Sequence, residues 1–206
     1  MTDVVLPQRG TPLFLASGSP RRAELLTQVG ARFTRLPAPG VDETPFPDEP
    51  PEQYVIRLAR AKAGAGEGLR ASPGAVLGAD TAVVLEERIL GKPVDDEDAL
   101  AMIDALCGRE HRVLSGVCVL YQGEARTAMS TTRVRFRELT AAQRRAYVAH
   151  GEGRDKAGAY GIQGLGAALV ASLAGSYSGV VGLPLEQTLP LLEWAGVPYG
   201  ISVPAE

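Results

Sequence analysis

The segment Leu15-Ala16-Ser17-Gly18-Ser19-Pro20-Arg21-Arg22-Ala23-Glu24-Leu25-Leu26 constrains this chain more than any other. A short apolar run, residues 13–16, stops at small polar residues, and an amphipathic segment opens at once behind a proline. That order is strand, tight loop, helix. Ser19 is placed to cap the helix and Pro20 suits its first position, while Leu25, Leu26 and Val29 share one side up to Gly30. Arg21 and Arg22 then stand in the first turn, where the helix dipole disfavours cations. On an ordinary surface helix such a pair is solvated charge. Here an anion bound at the same spot, with Ser17 beside it, would remove the conflict, and two fixed guanidinium groups suit a polyphosphate.

Beyond this segment, strand and helix patterns mix. A strand at 32–36 leads into an acidic, proline-rich loop at 37–51 that holds Asp42, Glu43, Asp48 and Glu49. A helix follows from Glu52, with Val55, Leu58, Ala59 and Lys62 at i, i+3, i+4 and i+7 on one face, until Gly64, Gly66 and Gly68 weaken it. The apolar run 75–85 is interrupted by Gly78-Ala79-Asp80-Thr81, and a turn near 86–88 precedes a loop at Gly91-Lys92-Pro93. A helix at 95–106 has an acidic first turn, as its dipole favours. Long strands at 111–121 and 126–136, a helix at 140–150, a strand at 167–173, a Gly/Ser loop at 175–179 and a helix at 184–195 complete the pattern. The mixture predicts an α/β fold, a mixed twisted sheet flanked by helices with two lobes around a central cleft. Residues 1–10 are expected to form a flexible tail and 11–206 a single domain.

The formal charge of −3, with acids and bases interspersed, argues against a nucleic-acid-binding surface but leaves room for a small anionic ligand. Cys107 and Cys118 have neither disulfide nor zinc spacing and read as reduced thiols of a cytoplasmic protein. Pro7, Arg9, Gly10 and Pro12 interrupt the N-terminal stretch, so neither a signal peptide nor a membrane span is expected.

Several residues can carry chemistry. Asp80 is either the turn residue of a surface loop or a buried strand carboxylate, which needs a partner, a hydrogen bond or a metal. In the second case it can bind a divalent cation or activate water. Lys62 either snorkels to the surface or carries its ammonium into a cleft. Lys92, between glycine and proline, has a side chain free to meet a ligand. Asp42 and Glu43 serve a metal only if they converge with Asp80. The glycines of 158–166 and 175–182 allow close backbone approach to a ligand, or simple turns, and match neither a Walker A nor a dinucleotide fingerprint. Gln163 can read a base edge or bond within its own loop. His111 and His150 read as structural or surface residues.

Taken in order, the motifs resemble the Maf family of nucleoside triphosphate pyrophosphatases. They are Leu15 to Leu26, Asp42-Glu43, Leu58-Ala59-x-x-Lys62-Ala63, Gly78-Ala79-Asp80-Thr81, Gly91-Lys92-Pro93, Asp155-Lys156-Ala157-Gly158-Ala159-Tyr160-Gly161-Ile162-Gln163-Gly164 and Gly175-Ser176-Tyr177-Ser178-x-Val180-Val181-Gly182-Leu183-Pro184. The resemblance implies a Maf/ITPase-like fold and a cytoplasmic, divalent-metal-dependent enzyme, often a homodimer. It would cut the α–β anhydride of a nucleotide to a monophosphate and pyrophosphate. It makes Asp80 the proton acceptor, and Arg22, Thr81 and Gln163 the marks of the dTTP/UTP subfamily rather than the sister group acting on 7-methyl-GTP. The family's historical name also suggests a nucleotide-binding regulator of septum formation and a link to arrest of cell division. Within this frame Ser17, Arg21, Arg22, Lys62, Lys92 and Lys156 are expected to hold the substrate, and Thr81 and Gln163 to help select a pyrimidine. Glu43 and Asp80 are expected to bind Mg²⁺ or Mn²⁺. Gly179 departs from the family pattern, where a larger polar residue is usual.

Overall fold

The computed structural model describes residues 10–38 and 40–202. The expected N-terminal tail lies outside the described residues but for Gly10. The elements run β1 (Leu13–Leu15), α1 (Pro20–Gln28), β2 (Thr34–Arg35), α2 (Pro51–Glu67), β3 (Ala75–Leu85), β4 (Arg88–Leu90) and α3 (Asp96–Leu106). They continue with β5 (Glu110–Tyr121), β6 (Glu124–Phe136), α4 (Ala141–His150), β7 (Val170–Ala174), α5 (Tyr177–Val181) and α6 (Leu185–Trp194). One mixed sheet has the order β2-β1-β3-β5-β6-β7, with β4 added to the far end of β3. β1 is parallel to both neighbours, and the long strands pair antiparallel. The expected mixed α/β sheet flanked by helices is therefore present. Among the described residues no helix is long and apolar enough to cross a membrane.

β3 and β5 pass through two hydrophobic clusters. Leu77 and Ala79 of β3 and Val117 and Val119 of β5 pack with α1 and α6 in the first. Val83, Leu85 and Val113 pack with α3, Phe136 and Tyr160 in the second. The polar residues Asp80, Thr81 and Ser115 stand where the strands leave one cluster for the other, in the register Asp80↔Gly116 and Thr81↔Ser115.

α2 lies across this crossing at very short range. A Cβ on Gly78 would stand 2.3 Å from the Ala59 carbonyl oxygen, and one on Gly116 would stand 2.6 Å from that of Val55. Only glycine lets the helix backbone come this close, and the approach carries Lys62 to Asp80.

Some local expectations change. Asp80 is not a turn residue: β3 continues unbroken through Gly78 to Thr81. Gly64 and Gly66 do not end α2, because its apolar face is packed on the sheet along its length. The expected strand at 167–173 begins as a 3-10 helix, Leu165–Leu169, before β7. The expected loop at 175–179 is in part α5, whose N-terminus the Ser176 side chain caps by accepting from the Gly179 N–H. Ser19 takes the N-cap position of α1, but its side chain makes no cap hydrogen bond; Ser17 Oγ accepts from the Ser19 N–H instead.

The contrast between the two kinds of glycine in this unit is measurable. Gly78→Ala should lower the unfolding free energy in urea by about 1–3 kcal/mol, since helix backbone must move to admit one methyl. Gly64→Ala, on the exposed side of α2 with nothing within 4 Å of the new Cβ, should raise it by about 0.5–1 kcal/mol.

Candidate active site

A cleft of about 600 Å³ opens beside the crossing point of β3. The loop from β1 into α1 brings Ser17, Arg21 and Arg22 to it, and the loop before α2 brings Glu43. α2 supplies Lys62, β3 supplies Asp80 and Thr81, and the loop after β4 supplies Lys92. Lys156 and Gln163 come from the segment between α4 and β7. Every residue singled out in the sequence as a site residue thus lines one cavity. Asp42 does not converge: its carboxylate turns back to accept from the Thr44 N–H at 2.9 Å.

Strand alternation divides the cleft. Asp80 points toward α2 and Thr81 to the opposite face. On the α2 face the Lys62 ammonium lies 2.7 Å from Asp80 Oδ1 and 2.6 Å from Glu43 Oε1. Glu43 reaches this point because α2 holds its loop in place. Tyr54 donates its hydroxyl proton to the Glu43 carbonyl at 2.9 Å. Arg57 clamps Glu49 with two bonds of 2.6 Å, donates to the Thr44 carbonyl, and stacks 4.0 Å from the Phe46 ring centroid.

On the other face Arg22 is tied into the protein. Its Nε donates to the Gly182 carbonyl at 2.8 Å, Nη1 to Ser17 Oγ at 3.1 Å and Nη2 to Thr81 Oγ1 at 3.4 Å. Of its five N–H donors, these three bonds leave two for a ligand. Arg21 instead faces the mouth, 3.4 Å from Asp155, which also takes Lys156 Nζ at 2.6 Å.

The profile described as Maf-like protein matches residues 12–195. The chain belongs to the Maf family. It is 62% identical over 187 residues to the dTTP/UTP pyrophosphatase of Alcanivorax borkumensis, covering 91% of this chain and 97% of that protein. It is 48% identical over 202 residues to the dTTP/UTP pyrophosphatase of Nitrosomonas europaea, covering 91% of this chain and 96% of that one. A third similar protein, the dTTP/UTP pyrophosphatase of Bordetella avium, is 50% identical over 194 residues, covering 90% and 96% of the two chains.

The electrostatics of this Maf protein set its two cleft carboxylates apart. Burial raises the Asp80 pKa above the ordinary carboxylate value, and Lys62 and Arg22 only partly offset it. Burial also acts on Glu43, but there the hydrogen bond and charge of Lys62, with Lys92 and Arg22 beyond, prevail and hold it below its usual value. The site thus pairs a more basic carboxylate, Asp80, with a firmly ionised one, Glu43. Desolvation lowers the Arg22 pKa, with the charge of Asp80 opposing it.

Three contributors to the site were not singled out in the sequence. Tyr54 and Arg57 sit on α2 at i and i+3 and read as ordinary helix residues, although their spacing from the acidic loop was visible. Glu152 accepts from the N–H groups of Leu165 and Gly166 at 2.6 and 2.9 Å, which shapes the segment bearing Gln163. Only the glycines around it hint at that role. His111 is structural, as expected: its Nε2 lies 2.8 Å from the hydroxyl of Tyr160, a cleft residue, amid the second cluster.

Two measurements bear on these contacts. Lys62→Met should destabilise the protein by about 3–5 kcal/mol at pH 7, read by urea unfolding, and adding Asp80→Asn should recover much of the loss. Burial lowers the His111 pKa to about 4 from 6.5, so between those values the unfolded chain binds the extra proton. Stability should therefore fall on acidification from pH 6.5 to 4, by up to about 3 kcal/mol from this residue, and His111→Phe should flatten that part of the profile.

Proposed function

We propose that this Maf protein is a nucleoside triphosphate pyrophosphatase that hydrolyses the α–β anhydride of dTTP and UTP. The observation that carries the reading is the buried Asp80 carboxylate, made more basic by its surroundings, in a cleft whose walls bear Arg21, Lys62, Lys92 and Lys156. The names of its relatives support the choice of dTTP and UTP.

The chemistry follows from the positions. The bond to be cut joins two charged phosphates, so cations must offset charge before a water can approach. Arg21 at the first turn of α1, Lys62, Lys92 and Lys156 supply that charge along the cleft. Lys62 occupies Asp80 Oδ1, leaving Oδ2 to take a proton from water. The oxygen of that water bonds to the α-phosphorus as the bond from phosphorus to the bridging oxygen breaks. The products are the nucleoside monophosphate and pyrophosphate, which leaves with the bonding electrons.

Glu43 and Asp80 already meet at one cation, the Lys62 ammonium, so their carboxylates are close enough to serve a common ion. Among the described residues no cluster of three or more acidic, histidine or cysteine side chains is poised for a metal. That donor set fits Mg²⁺ or Mn²⁺, which binds through one or two carboxylates and completes its shell with phosphate oxygens and water. When bound there, it would supply further positive charge to the phosphates.

Incubation with a panel of triphosphates, including 7-methyl-GTP, and Mg²⁺ or Mn²⁺ tests the reading. The expected result is pyrophosphate with dTMP or UMP; absence of pyrophosphate from both dTTP and UTP overturns it. Asp80→Asn should lower turnover by about 10²–10⁴-fold while the protein stays folded by circular dichroism.

A further inference from the structure

Ser115 carries an inference that follows from counting protons. It lies in the middle of β5, 1% exposed, directly across the ladder from Thr81. Its Oγ is 2.7 Å from the Gly179 carbonyl oxygen and 2.8 Å from Thr81 Oγ1. A carbonyl can only accept, so the single hydroxyl proton of Ser115 goes to Gly179. The proton in the second contact must then come from Thr81. With that proton committed at 2.8 Å, the longer contact of Thr81 Oγ1 with the Gly182 carbonyl, 3.4 Å, has none to share. Arg22 Nη2 approaches the same oxygen as a donor. The chain therefore runs one way, from Arg22 to Thr81 to Ser115 to the Gly179 carbonyl, and Thr81 offers a ligand only a lone pair and a methyl group.

The carbonyl reaches Ser115 because position 179 has no side chain. A Cβ there would stand 2.6 Å from Ser130 Oγ, and Ser130 is the residue opposite Ser115 on β6. The unusual glycine and the two buried serines thus form one unit behind the cleft wall.

Thr81 faces a half of the cavity with an apolar lining, where Arg22 is the cation beside it. Alternation puts Val83 and Val113 on its face of the sheet, and these line the cavity with Tyr160 and Val180. The Lys62–Asp80–Glu43 group lies on the opposite face. Lys62 is already offset by two carboxylates, so a triphosphate is drawn to Arg21, Lys92 and Lys156, which leaves the apolar lining beside Thr81 for a planar base. Resting on the pyrimidine nucleotide reading above, we propose that Ser115 is a positioning residue that makes Thr81 an obligate hydrogen-bond acceptor. The cleft thereby favours bases that present a ring N–H, uracil and thymine, over cytosine, whose corresponding nitrogen only accepts.

The test measures binding rather than turnover. Calorimetry gives Kd for α,β-methylene analogues of UTP and CTP in the parent and in Ser115→Ala, Thr81→Ser and Thr81→Val. The parent should favour the UTP analogue. Ser115→Ala removes the close acceptor of the Thr81 proton and leaves only the long contact with the Gly182 carbonyl to compete with cytosine for it, so the CTP-to-UTP ratio of Kd should fall by about fivefold or more. Thr81→Val should lose the preference too, and Thr81→Ser, which keeps the hydroxyl, should hold the ratio within about twofold of the parent. General loosening of the wall would weaken both ligands alike and leave the ratio unmoved. An unchanged ratio in Ser115→Ala overturns the proposal, and so does a parent that does not favour the UTP analogue. Should Ser115→Ala fail to fold, Ser115→Cys, similar in shape but a poor hydrogen-bond acceptor, is read by the same criterion. A parent that binds the analogues but releases no pyrophosphate from UTP would sink the enzymatic reading alone.

Discussion

The buried ammonium of Lys62, bound on two sides by Asp80 and Glu43, is the contact on which the cleft depends. Lys62 is 8% exposed, and two carboxylates stand where water would otherwise surround its ammonium. That arrangement fixes three separate parts of the chain. β3 must carry a carboxylate in mid-strand, α2 must approach the sheet closely enough for the lysine to reach it, and the proline-rich loop must fold back over the helix. Gly78 and Gly116 permit the approach. Tyr54 and Arg57 hold the loop. The one ammonium offsets part of the charge of both carboxylates.

The second organising feature is the alternation of β3. Two consecutive residues, Asp80 and Thr81, point to opposite faces and belong to different polar networks, one built on an ion-paired ammonium, the other on hydroxyl and carbonyl groups. Arg22 anchors the second, although adjacent Arg21 turns to the open mouth toward Asp155. Two arginines that look alike in sequence therefore act differently. Arg22 locks α1 to β3 and the α5 region, while Arg21 remains available at the surface.

Much of this was legible in the chain. The strand–loop–helix at Leu13 to Gln28 follows from local rules, as do the two long strands and the acidic start of α3, and each is found near where the sequence pattern puts it. Charged groups that interrupt apolar patterns marked Lys62 and Asp80 as candidates, and the full set of site residues came from the resemblance to the Maf family. What the sequence left open is decided by tertiary packing. Asp80 could be read as a turn residue because its partner, Lys62, is eighteen positions away on another element. The glycines of α2 read as weakening the helix because nothing local shows that the sheet supports it. Ser115 and Glu152 gave no signal, since an isolated serine in an apolar strand and an acid in a polar loop are commonplace; their importance lies wholly in what they touch.

The β3–β5 ladder joins the two hydrophobic clusters without a hinge. Its backbone hydrogen bonds belong equally to both, so neither cluster can open far without stripping strands from the other. Local opening is easiest where few such bonds must break, in the loops and the short helices at the rim. Asp80, Thr81 and Ser115 therefore sit inside the ladder that both clusters share. The polar floor of the cleft is thus fixed by the same backbone ladder that ties the two clusters together.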